Sequence, residues 1–256
     1  MKKNQCKVDA PSRKKPLPNS DLSYGDLIVE IGRLFINIPY KAGTLECPDN
    51  EKLVVNLSAF DCTTFVETVL ALTKCAAAGN ISYYELKKYL KLIRYRQGKI
   101  DGYSSRLHYF TDWLHDNENK KIITDMSRRL GGKPQRKKIN FMTAHSQLYG
   151  ALKNEAERRK MSLIEKNLSR KTIYIIGINK FGEIKTEIKN GDVIAFTTKD
   201  EGLDVAHAGF AIRQRKNLHL LHTSGKEGGA VISKKTLVSY LKSNKKFTGI
   251  IIARFS

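Results

Sequence analysis

No run of about 18 apolar residues occurs in this 256-residue chain, so no segment reads as a membrane-spanning helix. A secretory leader is also missing. Met1-Lys2-Lys3 is basic, but Asn4, Gln5, Cys6, Lys7, Val8 and Asp9 follow where an apolar core segment would be needed. Cysteine is scarce. Cys6, Cys47, Cys62 and Cys75 form no CxxC pair, which argues against a zinc ribbon or thioredoxin-type motif. Four cysteines are also too sparse for a disulfide framework at this length, so at least one free thiol is expected. Acidic residues are few: 25 Asp and Glu against 46 Lys and Arg leave a net charge of +21. That balance favours polyanionic partners such as nucleic acid, an anionic membrane surface or carboxylate-rich peptidoglycan, unless it is simply a solvated basic surface. The lysines are spread along the whole chain and no nucleic-acid motif stands out, so nucleic acid is not the expected partner.

Ordinary globular character is present. Hydrophobic residues make up 41% and charged residues 28%, with no internal repeat and no long low-complexity tract. Residues 1–20, rich in Lys, Pro, Ser and Asn, read as a flexible leader, and 21–256 as one domain. Helical spacing begins with Leu27, Ile28, Ile31 and Leu34, for which Ser20 or Asp21 is the expected cap. The best helix runs from Asp61 to Ala78, where Phe65, Val69 and Leu72 share a face and Gly79-Asn80 supplies the stop. Further helical patterns cover 82–96, 104–118 and 141–166. Beyond residue 170 short β-rich runs take over, at 172–178, 183–188, 192–197, 205–212, 218–222 and 249–254. A helical first half and a stranded second half predict an α+β fold.

Cys62 is the residue with the clearest chemical potential, although taken alone it reads more readily as one more buried small hydrophobe. At the first turn of the best helix, with Asp61 as N-cap, a thiol meets the positive end of the helix dipole and free backbone N–H groups, a setting that favours thiolate and can hold an oxyanion. A base must come from elsewhere in the chain. His207 lies in an alternating run in which Ala208, Phe210 and Ile212 face one side and His207, Gly209 and Ala211 the other. The small second side leaves room for an element carrying Cys62. His222, in the next run, could orient His207 as third member of a triad. His219 is the competing third member, and only one of the two can face the site.

These segments resemble the NlpC/P60 order: Asp61-Cys62-Thr63-Thr64, Asn190-Gly191-Asp192-Val193, His207-Ala208-Gly209 and His222-Thr223-Ser224. Tyr40 to Glu46, Ser105 to Trp113 and Asn140-Phe141-Met142 are similar to its N-acetylmuramoyl-L-alanine amidase-like branch, DUF1460, and the resemblance spans roughly residues 25–255. It implies a papain-like core, with the helical half packed on an antiparallel sheet or barrel. It also implies a Cys62–His207–His222 triad without metal or organic cofactor, and peptidoglycan fragments as substrate. Scission is expected between (anhydro)muramic acid and L-alanine, or at the γ-D-glutamyl bond that the wider family favours. Such a substrate implies a periplasmic or envelope location, an export signal that this sequence lacks, and a role in wall turnover or recycling. A monomer is expected.

Tyr40, Glu46, Asp61, Arg106, His108, Asp112 and Trp113 are the candidate substrate-binding residues. Arg106 could grip a carboxylate with its fork, and Trp113 or Tyr109 could lie against a sugar, unless Trp113 is core and Arg106 a surface charge. Two other classes compete. His108, Asp112 and His115 would share a face if 104–118 is one helix, as in a zinc amidase. A basic, non-enzymatic wall- or polyanion-binding protein is the other.

Overall fold

The computed structural model describes residues 22–46 and 50–256. The expected leader, the proposed caps Ser20 and Asp21, and Cys6 and Cys47 lie outside the described residues. The helices are α1 (Tyr24–Arg33), α2 (Cys62–Ala77), α3 (Tyr83–Arg94), α4 (Phe110–Asn119), α5 (Phe141–Ala144), α6 (Glu155–Arg170), α7 (Phe181–Ile184) and α8 (Leu237–Ser243). The strands are β1 (Ile123–Asp125), β2 (Lys133–Gln135), β3 (Ile173–Ile175), β4 (Val193–Thr198), β5 (Val205–Gln214), β6 (Asn217–Ser224), β7 (Gly229–Ile232) and β8 (Phe247–Phe255).

Six strands form one antiparallel sheet in the order β1-β8-β4-β5-β6-β7, and β2 pairs with β3 in a separate ribbon. β4 is buried along its whole length, consistent with its continuous apolar run at the sheet's centre. The alternation of side chains then sorts the core. One face offers Val193, Ala195, Ala208, Phe210 and Ile251 to α1, α2, α3 and α4. The other offers Ile194, Phe196, Ala211 and Ile250 to α7 and α8. α2 is buried almost all round. Its Phe65 stands edge-on to Phe35, Phe60 and Phe210, at 5.9–6.5 Å between ring centres, and each such pair adds about 0.5–1.5 kcal/mol to area burial.

The expected α+β class and the helical half packed on an antiparallel sheet are seen. A barrel is not: β1 pairs only with β8, and β7 with β6, so the three- and four-residue edge strands never meet. The expected strand at 183–188 is also corrected. Phe181, Ile184 and Ile188 recur at helical spacing and are all buried, so the segment enters the core as α7 and a turn. Residues 141–166 are broken at His145, Tyr149 and Asn154 before α6 begins. α1 is capped by Ser23, whose hydroxyl accepts from the Asp26 N–H. Its first turn is seated against the turn before β4. A Cβ on Gly25 would stand 2.1 Å from the Asn190 carbonyl oxygen, and the Asn190 amide donates to Asp26 Oδ1 at 3.0 Å.

Candidate active site

The expected cap of α2 is present as a reciprocal box. Asp61 Oδ1 accepts from the Thr64 N–H at 2.8 Å, and Thr64 Oγ1 accepts from the Asp61 N–H at 2.9 Å. This closure, worth about 1 kcal/mol, fixes Cys62 at the first helical position. Other groups oppose the thiolate that a helix start favours. Burial, and then the adjacent Asp61 carboxylate, push the Cys62 thiol up to about 11, with only partial relief from the Ala208 and Thr63 N–H groups and the Thr63 hydroxyl.

That contact with Ala208 brings the helix start to the residue after His207. On the His207 face of β5 other rings pack against the imidazole. His207, Phe196 and Tyr240 form a triangle of rings, with His207 6.0 Å from Phe196 and 5.9 Å from Tyr240 and those two 5.2 Å apart. Gly209 makes space for His222: a Cβ there would fall 2.7 Å from His222 Cβ and 2.8 Å from the Leu221 carbonyl. A β-bulge, where the β4 partner shifts from His207 to Val205, sits just ahead of the histidine and re-aims the strand.

His207 Nε2 and His222 Nδ1 are 2.7 Å apart, so β6 turns His222 to its neighbour while His219 bonds the Ser233 carbonyl. The 15-residue separation reflects long strands and not a long loop, since β5 and β6 meet at a two-residue turn with Arg215 at φ 54°. Both imidazoles are held neutral. Burial lowers His207 to about 3, helped by His222, and lowers His222 to about 4. Among the candidate groups, burial thus favours the uncharged thiol and the uncharged imidazoles alike.

Tyr240 went unnamed in the sequence reading. It stacks on His207 and stands edge-on to His222, and burial followed by Glu227 and Cys62 raises its hydroxyl to about 12. Its only local signal was the short α8 pattern, Thr236 capping Ser239 and Leu237 paired with Leu241. Tyr40 is close enough for Cys62 and Asp61 to raise it, though desolvation contributes more, and its ring covers Gly225 in the β6–β7 turn.

Of the other candidates, Arg106 and Glu46 pair with each other. Arg106 Nη2 donates to Glu46 Oε1 at 2.7 Å, its Nε is 3.5 Å from Glu51, and its guanidinium lies 4.8 Å over the Tyr103 ring. Burial alone would lower Arg106, but Glu51 and Glu46 outweigh it. The surface-charge alternative for Arg106 therefore does not hold: the residue is buried. Glu67 on α2 feels both Asp61 and Arg106, which places the two regions side by side. Trp113 is 2% exposed in the main core, and Tyr109 is buried with its hydroxyl on Glu165, so neither ring is open to a sugar. Asp112 holds Arg96 with two bonds of 3.0 and 2.7 Å. The zinc stripe loses its premise because α4 starts at Phe110. His108, ahead of it, bonds the Tyr103 carbonyl, and His115 bonds Asn119 from an exposed position. Among the described residues no three His, Cys, Asp or Glu side chains are grouped to hold a metal, and no helix is long and apolar enough to cross a membrane.

Residues 30–250 match the model of the AmiA-like family, described as N-acetylmuramoyl-L-alanine amidase-like. An N-acetylmuramoyl-L-alanine amidase from Bacteroides uniformis is 39% identical, with 91% of this chain and 99% of that one covered and a TM-score of 0.87. A Bacteroides fragilis protein described as a "putative xylanase" is 41% identical over 88% of this chain and 99% of its own, with a TM-score of 0.83. A Legionella pneumophila protein of the DUF1460 family shares the fold at 21% identity and a TM-score of 0.70, covering 91% of this chain and 89% of its own. No curated protein sequence matches.

Proposed function

Because the chain belongs to the AmiA-like, N-acetylmuramoyl-L-alanine amidase-like family, we propose that it is a cysteine amidase acting on peptidoglycan fragments. The bond assigned to it joins the lactyl carboxyl of (1,6-anhydro)N-acetylmuramic acid to L-alanine. The observation that carries the reading is the 2.7 Å His207–His222 pair set beside a thiol at a capped helix start, a papain-like arrangement of nucleophile, base and orienting group.

His207 Nε2 is committed to His222, so Nδ1 is the ring nitrogen that serves Cys62. Nδ1 takes the thiol proton as sulfur attacks the amide carbonyl carbon. The Cys62 backbone N–H, free at the first turn, holds the developing oxyanion. Nδ1 then passes the proton to the leaving L-alanine nitrogen as the C–N bond breaks. Water, deprotonated by His207, opens the thioester and restores the thiol. The protein's part in these steps is carried by Cys62, His207 and His222. Arg106, with Glu46 beside it, is the candidate for a substrate carboxylate, and Tyr40 forms the wall nearest Cys62. The substrate places the enzyme in the periplasm or cell envelope, in wall turnover or recycling.

Mass spectrometry of defined muropeptides, with and without the anhydro sugar, tests the proposal. Free peptide beginning at L-alanine is expected with wild type and not with Cys62→Ala. Iodoacetamide should abolish the activity and EDTA should not. Cleavage at the γ-D-glutamyl bond would keep the chemistry and change the specificity, and equal cleavage by Cys62→Ala would sink it.

A further inference from the structure

The proposed chemistry leaves one proton in need of an acceptor. A neutral imidazole carries a single N–H. If His207 Nδ1 is to accept the thiol proton, its hydrogen is on Nε2 and is donated to His222 Nδ1, 2.7 Å away. His222 must then carry its own hydrogen on Nε2. The His222 side chain is 0% exposed, and Nε2 has no hydrogen-bond partner. The opposite pair of tautomers puts a hydrogen on His207 Nδ1 and disables the base. Whatever stabilises Nε2–H on His222 therefore decides whether the pair can work.

One carboxylate stands over that atom. Glu227 Oε2 is 3.8 Å from His222 Nε2, and its side chain is 41% exposed. Glu227 belongs to the four-residue turn 225–228 between β6 and β7. The turn is anchored at both ends: the Glu227 N–H donates to Ser224 Oγ at 3.3 Å, and the Tyr40 N–H donates to the Gly228 carbonyl at 3.0 Å. Gly228 takes φ +80°, a left-handed conformation that suits glycine there. The other titratable groups facing His222 are His207 from β5 and Tyr240 from α8. Neither supplies an anionic acceptor at Nε2: His207 is engaged with His222 Nδ1 through its own Nε2, and the Tyr240 hydroxyl is pushed away from ionisation. The Thr223 backbone favours the protonated ring from the same strand.

Resting on the cysteine-amidase reading, we infer that Glu227 is a positioning residue: it accepts the His222 Nε2 hydrogen and so sets the tautomer of both histidines. A shift of about 1 Å in the exposed turn converts the 3.8 Å approach into a hydrogen bond. The carboxylate acts through His222 and does not touch substrate. It also sets a negative charge two rings from the imidazolium that forms on His207.

Glu227→Ala, Glu227→Gln and wild type are to be compared by 15N NMR of the histidine rings and by kcat/KM on the cleaved muropeptide. Wild-type His222 is expected as the Nε2–H tautomer. In Glu227→Ala it should shift toward Nδ1–H, and kcat/KM should fall about tenfold, the low end of what losing a carboxylate that orients a histidine costs at metal sites. Glu227→Gln keeps an acceptor oxygen and should keep the tautomer and most of the rate. An unchanged tautomer in Glu227→Ala overturns the inference, whatever happens to the rate, and so does a shifted tautomer with a wild-type rate. Should no muropeptide be cleaved by wild type, the amidase reading fails by itself, and the NMR comparison alone still decides whether Glu227 sets the tautomer.

Discussion

Two neighbouring regions of this protein handle buried polar groups in opposite ways. Around Cys62, burial favours the neutral form of the thiol, both imidazoles and Tyr240: the thiol is raised, both imidazoles are lowered and Tyr240 is raised. Around Arg106, burial is answered by charge pairing. Arg106 meets Glu46 and Glu51, and Arg94 meets Glu67 at 2.6 Å with both side chains almost fully enclosed. The first arrangement suits a place where a proton has to move, since neither partner must be stripped of a fixed counter-charge. The second suits a place that must keep its shape.

The contrast can be broken most severely at Arg94. Arg94→Ala strands the Glu67 carboxylate in the core and should cost about 3–5 kcal/mol of unfolding free energy in urea titrations. The double variant Glu67→Leu with Arg94→Met should recover much of that loss. If the double variant is as unstable as the single, the pair is not simply an answer to burial.

Acid should sharpen the contrast next. His207 and His222 titrate near 4 or below in the fold and near 6.5 when unfolded, so between those values the unfolded chain binds the extra protons. Their neutral burial therefore leaves stability complete above about pH 6.5 and erodes it as pH falls toward 4. His222→Gln should lose less on going from about pH 7.5 to about pH 5 than wild type does, measured by denaturant midpoints. An equal loss would show that other groups carry the acid sensitivity.

Gly209→Ala comes third. Its methyl meets His222 Cβ and the Leu221 carbonyl, so it should cost about 1–3 kcal/mol and lower kcat more than it raises KM, because His222 is displaced while Arg106 is untouched. A variant with normal kcat would mean that His222 tolerates movement. The smallest effect is expected for Glu46→Gln. Its half-exposed pair with Arg106 should be worth less than about 1 kcal/mol of stability, yet freeing the guanidinium should lower KM for substrates with a free carboxylate. An unchanged KM would take Arg106 out of substrate binding.

What could be read from the sequence divides along the same line. The Cys62 cap was legible because a capping box is local: Asp61 and Thr64 are three residues apart and need nothing else. β5 and β6 were legible through their period of two, and the resemblance named His222 within that pattern. The Arg106 to Trp113 segment misled because one uninterrupted helix was assumed from 104. Tyr109 instead stays extended before α4, the residues after it are turned by one start site, and Trp113 faces the core. Tyr240 and Glu227 had no signal of their own. A seven-residue helix and a four-residue turn reach the histidines only through the pairing of strands far apart in the chain.

The position of β8 has a consequence for how the molecule is made. Phe247–Phe255 is the last of the strands in chain order, yet it lies inside the sheet, between β1 and β4. During synthesis, α1 to α3 can emerge and collapse while the sheet's central seam is still missing, and β1 has no partner until residue 255 has left the ribosome. The sheet thus closes after translation of this segment and not alongside it, and until then the apolar edge of β4 is open to a chaperone or to another nascent chain.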